Sequence, residues 1–156
     1  MKPVTNVIIA GLGGQGVLKA SDVLCDALFR TGCDIKKSEV HGMSQRGGSV
    51  CSDIRFGPQV FSPMVPFGEA DYLVVIAPDQ VEVNRAQLRP GGVLITPDMV
   101  DAEKLTNRKS LNIALLGVLG KHLSIPVETW QSAIRALFPE KLHPANFQAF
   151  ELGRNA

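Results

Sequence analysis

Gly11, Gly13 and Gly16 fall on the spacing Gly-x-Gly-x-x-Gly, in the run Gly11-Leu12-Gly13-Gly14-Gln15-Gly16. A turn of this kind, set between a strand and a helix, brings main chain close to a phosphate. The helix start then adds free N–H groups and the positive end of a dipole. The glycines equally suit a second reading, in which they only let a strand and a helix approach closely, and the spacing alone does not separate the two. Glu39 stands where a ribose-binding acid would follow such a turn, but it belongs to another unusual stretch. A phosphate or other anion therefore suits the turn better than a redox-active nicotinamide does.

That other stretch is Ser38-Glu-Val-His-Gly-Met-Ser44-Gln-Arg46-Gly47-Gly48-Ser49-Val50. Its glycines and flanking hydroxyls can form a nest of N–H groups around an anion, and Arg46 would add a two-pronged grip on a carboxylate or phosphate. An ordered surface loop with an exposed arginine accounts for the same residues, as does a docking surface, where methionine and arginine are common. The candidate cofactor-binding residues are thus Gly11, Gly13, Gly14, Gln15, Gly16, Ser44, Arg46, Gly47 and Gly48. No catalytic residue is assigned. His41, His122 and His143 are too scattered to suggest a metal site, and no Gly-x-Ser-x-Gly elbow is present. Cys25, Cys33 and Cys51 are odd in number and widely spaced, with no Cys-x-x-Cys, so they read as free thiols.

The elements that must position these residues follow from periodicity. Asn6–Ala10 reads as a buried strand, and Val17–Thr31 has helical spacing with Gly32 placed to end it. Asp34–Val40 and Ser49–Phe56 read as strands, the second with Val50, Ile54 and Phe56 on one face. The link between them is shorter than the dozen or so residues a parallel crossover needs, so they should be antiparallel neighbours or lie in separate layers. Val60-Phe61 is expected to return as a short hairpin strand. Tyr72–Ala77 reads as a strand buried on both faces. A helix is expected from Asp79 or Gln80 to Leu88, stopped by Pro90-Gly91, and then a strand at Val93–Thr96. Helices are expected over Asn112–Leu123, from near Pro126 to Phe138, and over Pro144–Leu152 with Gly153 as the stop. The resulting fold class is α/β: a three-layer α/β/α Rossmann-like domain with a mixed, mainly parallel sheet and a helical C-terminal third. Residues 1–156 are expected to form one domain.

A formal net charge of +1 on 156 residues excludes a nucleic-acid or membrane surface of the usual polybasic kind. It leaves room for a local basic patch. No apolar run reaches the ~20 residues that span a bilayer, and the beginning of the chain does not read as a signal peptide. A cytoplasmic location is the expectation.

Three blocks carry a family resemblance: Gly11-Leu-Gly-Gly-Gln-Gly-Val-Leu-Lys-Ala-Ser21, Glu39-Val-His-Gly-Met-Ser-Gln-Arg-Gly-Gly-Ser-Val50 and Ile54-Arg-Phe-Gly57. They resemble the γ domain of the pyruvate/2-oxoacid:ferredoxin oxidoreductases. The middle block is most similar to the β subunit of the indolepyruvate branch. Gly68-Glu-Ala-Asp71, Arg85, Pro90-Gly-Gly92, Asn112-x-x-Leu-Leu-Gly117 and Asn146-x-x-Ala-Phe150 match as well. The resemblance implies an accessory subunit of an enzyme that oxidatively decarboxylates indolepyruvate or another aryl 2-oxoacid to the acyl-CoA. It places thiamine diphosphate and [4Fe–4S] clusters on a larger α subunit, with ferredoxin as electron acceptor and coenzyme A as a possible contact of this chain. One departure is a shorter segment between Ile95-Thr96 and Asn112, which implies the loss of a late edge strand. The alternatives are a free-standing nucleotide- or CoA-binding regulatory module, and a structural subunit whose glycine turn is empty.

Overall fold

The computed structural model describes residues 3–41 and 48–156. Its centre is strand β1 (Thr5–Leu12), whose Val7, Ile8, Ile9 and Ala10 are all buried. Alternation along a strand sends Val7 and Ile9 to one face and Ile8 and Ala10 to the other. Helix α1 (Val17–Arg30) follows, then β2 (Asp34–His41) and β3 (Ser49–Gly57). Strand β4 (Ala70–Val75) and strand β5 (Leu88–Ile95) complete a five-stranded sheet in the order β2-β3-β1-β4-β5.

β4 runs parallel to β1 and to β5, whereas β3 is antiparallel to both of its neighbours. The sheet is therefore mixed, with two parallel and two antiparallel pairings, and only β3 runs against the other four strands. The short link between β2 and β3 produces the antiparallel pairing, with Asp34 opposite Gly57 and Val40 opposite Cys51. β3 thereby stands between β2 and β1. This insertion carries Glu39 away from the glycine turn, and the Glu39 carboxylate instead pairs with Lys37 Nζ at 3.1 Å.

Four helices cover one face of the sheet. α1, α3 (Leu111–Gly120), α4 (Val127–Leu137) and α5 (His143–Arg154) bury Val7, Ile9, Ile54, Val74 and Ile95 beneath them. Ser21 of α1 and Ser52 of β3 share a buried hydrogen bond of 2.7 Å, fixing helix to strand. The other face buries Ile8, Ala10, Leu73 and Val75 under a thinner cover. That cover is the 58–69 segment and α2 (Val81–Asn84), with a 3-10 turn on either side of α2.

Several elements differ from the sequence expectation, each for a local reason. Val60-Phe61 is not a strand: the Val60 N–H donates to Asp34 Oδ2 at 2.8 Å instead of to a ladder, and Phe61 is exposed. The helix expected to run on to Leu88 breaks up at Asn84, whose side chain bonds the Gln80 carbonyl oxygen (2.8 Å) and accepts from Gln87 Nε2 (2.9 Å). β5 then begins at Leu88 and continues through Pro90-Gly-Gly92. An edge strand tolerates that passage because a missing N–H on its free side removes no bond. α4 does begin near Pro126 as expected, with that proline as its N-cap. Gly153 does not stop α5 but lies inside it, where the helix crosses α3 closely. Among the described residues no strand follows β5; residues 97–110 form three 3-10 turns, the second and third capped by Asp101 and Asn107.

Candidate functional site

The glycine turn leaves the carboxyl end of β1 and is held by its own chain. The Gln15 N–H donates to the Leu12 carbonyl oxygen at 3.1 Å, and the Leu12 N–H donates to Gln15 Oε1 at 2.7 Å. Gln15 is thus part of the turn's internal frame. Gly11 is a close-approach glycine: a Cβ there would stand 2.9 Å from both Gln15 Oε1 and Val17 Cγ2. Gly14 (φ 89°) and Gly16 (φ 79°) occupy the left-handed region, which L side chains adopt only at a cost. Nothing lies within 4 Å of where a Gly14 side chain would begin, so that part of the turn faces open space.

The two stretches singled out in the sequence meet here. The Gly13 N–H donates to the Gly48 carbonyl oxygen at 2.8 Å. Gly48 therefore joins the turn, whereas Ser44, Arg46 and Gly47 lie outside the described residues.

α1 opens at Gly16 with no side-chain cap and no acidic residue in its first turn. Its first N–H groups and its dipole are left to whatever occupies the space ahead. That space is a cavity of about 510 Å³ bordered by Gly14, Gly16, Lys19, Arg108, Lys109 and Asn112. Among the described residues three cationic side chains line it, and no carboxylate does. A second cavity, of about 440 Å³, lies against the turn beside Leu12, Val17 and Val50, and Lys19 borders both. The Lys19 ammonium is held by the Leu137 carbonyl oxygen at 3.1 Å and stands 5.4 Å above the Phe138 ring. Arg108 pairs with Glu103 at 2.9 Å, but both side chains are well exposed, so water screens the pair and it binds the guanidinium weakly. Asn112 locks α3 to the turn: its Nδ2 donates to the Gly16 carbonyl oxygen at 3.0 Å.

The position of the larger cavity follows from topology. From β1 the chain turns through α1 to one side of the sheet, and from β4 it turns through α2 to the opposite face and the opposite edge. Ile76, just past β4, borders the cavity together with the turn past β1. In an open α/β sheet a crevice at such a divergence, at the carboxyl ends of parallel strands, is where ligands bind. Sequence reading located the glycines but not Lys19, Arg108, Lys109 or Asn112. Lys19 and Asn112 stand in matching runs with no role attached to them, and Lys19 is distant along the chain from Arg108 and Lys109.

A family model described as pyruvate ferredoxin/flavodoxin oxidoreductase matches residues 6–156. The chain belongs to that family. Within the pyruvate ferredoxin/flavodoxin oxidoreductases, one relative is the indolepyruvate oxidoreductase subunit IorB of Thermococcus kodakarensis, 34% identical over 191 residues, covering 97% of this chain and 95% of the relative. The aligned stretch is longer than this 156-residue chain, so the relative carries residues with no counterpart here. Among solved structures, the γ subunit of a keto/oxoacid ferredoxin oxidoreductase from Geobacter sulfurreducens superposes with a TM-score of 0.80 at 19% identity, over 99% of this chain and 96% of that one. The 2-oxoglutarate:ferredoxin oxidoreductase of Magnetococcus marinus, solved with 2-oxoglutarate, coenzyme A and succinyl-CoA bound, gives 0.86 at 18% identity over 99% of this chain. This chain spans only 31% of that polypeptide. These two structures share the fold, in one case as a separate subunit and in the other as part of a larger chain.

Proposed function

We propose that this chain, residues 1–156 acting as one γ-type domain, is the accessory subunit of a 2-oxoacid:ferredoxin oxidoreductase that converts indolepyruvate or another aryl 2-oxoacid to its acyl-CoA. In this reading it supplies the anion-binding wall for coenzyme A and no bond-breaking group. The observation that carries the reading is the basic cavity at the glycine turn. Lys19, Arg108 and Lys109 surround the uncapped start of α1, an arrangement suited to the phosphates of a nucleotide-bearing thiol. Gly14 and Gly16 let main chain approach those phosphates, Gly13 ties the turn to Gly48, and Asn112 holds the turn in register with α3. Ser44, Arg46 and Gly47 would add to the same wall.

Thiamine diphosphate and iron–sulfur clusters are assigned to a larger α subunit. Cys25, Cys33 and Cys51 are separate free thiols, and among the described residues no three His, Cys, Asp or Glu side chains come together as a ligand set. When bound on the partner, those groups supply the decarboxylation and the electron path to ferredoxin. This chain's residues position the acyl acceptor and leave its phosphates paired and immobile. Phe61, Met64 and Phe67, exposed within one short segment on the thinly covered sheet face, supply an apolar surface for that subunit. Free thiols suit a reducing cytoplasm, and among the described residues no helix is long and apolar enough to cross a membrane.

Reconstitution with the α subunit tests the reading. The chain alone is expected to show no 2-oxoacid oxidation, and the complex to restore it. Arg108→Ala with Lys109→Ala is expected to raise KM for coenzyme A at least about tenfold while KM for the 2-oxoacid is unchanged, since loss of charge-assisted bonds costs more than ~1.4 kcal/mol. Turnover by the chain alone, or an unaltered KM for coenzyme A in the double variant, would contradict it. Tight NAD binding by the isolated chain would point instead to a free-standing nucleotide module.

A further inference from the structure

A further cavity, of about 510 Å³, lies at the other end of the sheet. Thr5 at the start of β1, Gly57 at the end of β3 and Tyr72 near the start of β4 border it. The glycine turn begins at the far end of β1, roughly 23 Å away at the usual rise per residue of a strand. Nothing in the proposed function uses this cavity. Its volume falls within the range of small-molecule sites.

The wall chemistry is specific. Leu28, Phe56, Leu123 and Ile125 form an apolar floor and sides. The Tyr72 and His122 rings stand 5.7 Å apart at 44°, a tilted pair that offers both a ring face and a ring edge to an incoming π-system. Among the described residues no lysine, arginine, aspartate or glutamate borders the space, in contrast to the basic cavity at the turn. A charged ligand here would lose water without gaining a counter-charge, which is costly. Polar capacity is nevertheless present at the rim. The Thr31 hydroxyl is already committed to the Leu28 carbonyl oxygen at 2.7 Å. The hydroxyls of Thr5 and Ser124 and the ring nitrogens of His122 make no hydrogen bond among the described residues, and all three side chains border the cavity. They are placed to meet one neutral hydroxyl or N–H of a ligand.

We infer that this cavity is a binding site for a small, uncharged aromatic molecule with a single hydrogen-bonding group at its edge, distinct from the anion site at the glycine turn. The ring lies against Tyr72, His122 and Phe56, and the polar group faces Ser124 and Thr5. The occupant's contacts fall on the last turn of α1 and on the residues just past α3.

Amide NMR titration of the full chain tests this with four probes of nearly equal size: 4-methylphenol, 4-methylbenzoate, 4-methylbenzylamine and 4-methylcyclohexanol. The phenol should bind saturably, shifting amides at Thr31–Cys33, Gly57 and His122–Ser124 while those of Gly14 and Gly16 stay still. The two charged probes and the saturated ring should bind at least about tenfold more weakly. Leu123→Trp, which fills the space, should abolish the phenol shifts, and His122→Ala, at an exposed position that carries no core packing, should weaken phenol binding several-fold. Non-saturating shifts, equal affinity across the charge series, or full phenol affinity in His122→Ala would overturn the inference.

Discussion

Gly14 and Gly16 share a left-handed backbone but differ in what surrounds them, and that difference is measurable. A side chain at Gly14 meets open space, whereas a Cβ at Gly16 would stand 2.5 Å from Asn112 Nδ2. Gly14→Ala should therefore cost about 1–2 kcal/mol, the conformational penalty alone. Gly16→Ala should cost more by roughly 1 kcal/mol or above, because it also displaces the asparagine that holds α3 to the turn. Denaturant unfolding of both variants checks the order; equal losses would mean that Asn112 is free to move aside. The glycines were legible in the sequence because their spacing is local. Lys19, Arg108 and Lys109 were not, since the cavity they line exists only once the N-termini of α1 and α3 are brought together. Some residues in the matching blocks prove structural: Asp71 accepts from the Asn6 N–H at 2.8 Å and pairs with Arg89 at 2.6 Å, so it fastens β1 to β4 and β5. Gln15, a candidate ligand contact, spends its carbonyl on the turn while still bordering the cavity.

The pairing of α3 with α5 shows what glycine does at the level of elements. Cβ atoms at Gly117 and Gly153 would land on the main chain of the facing helix, at the Phe150 and Ala114 carbonyl oxygens respectively. Backbone cannot yield as a flexible side chain can, so Gly153→Ala is expected to lose about 3 kcal/mol or more and to lower the thermal midpoint accordingly. A loss below ~1 kcal/mol would show that the helices slide apart easily. Strong periodicity made α1, β1, β3 and β4 readable. The short link between β2 and β3 leaves antiparallel neighbours or separate layers, and the strands are antiparallel neighbours. The segments that misled were those whose hydrogen bonds go to side chains, such as Val60 on Asp34 and Gln80 on Asn84, because a sequence pattern records burial and not which donor captures which acceptor. Gly153 was read as a helix stop from its residue type; only the crossing partner reveals why it sits inside α5.

At the scale of the whole molecule the sheet has two unlike faces. The face under four helices buries most of the core, and the other leaves Phe61, Met64 and Phe67 in water. Phe61→Asp with Phe67→Asp should leave the isolated chain folded, as judged by its circular dichroism, and weaken association with the α subunit at least about tenfold, since each buried aromatic contributes more than ~1 kcal/mol. Unchanged affinity would move the interface elsewhere. Alkaline stability gives a test of the well-covered face. Burial pushes the Cys25 thiol from its ordinary 9.0 up to about 11, against the smaller opposing effect of Lys37. The unfolded chain then releases this proton at lower pH than the folded one does. The contribution to stability is complete below pH 9 and declines as pH rises towards 11, by up to roughly 3 kcal/mol for a two-unit difference. Cys25→Ser should flatten that part of the stability profile relative to the parent chain, and an identical slope in both would contradict the burial. In the proposed function the turn and the three cations beside it bind phosphate on behalf of a larger enzyme. Calorimetry on the full chain with coenzyme A and with pantetheine, which has the same thiol arm and no phosphate, tests it most directly. Coenzyme A should bind at least about tenfold more tightly, with an affinity that falls as salt is added and collapses in Lys19→Ala/Lys109→Ala. Equal binding of the two compounds, or coenzyme A affinity indifferent to salt and to the loss of both lysines, would contradict it.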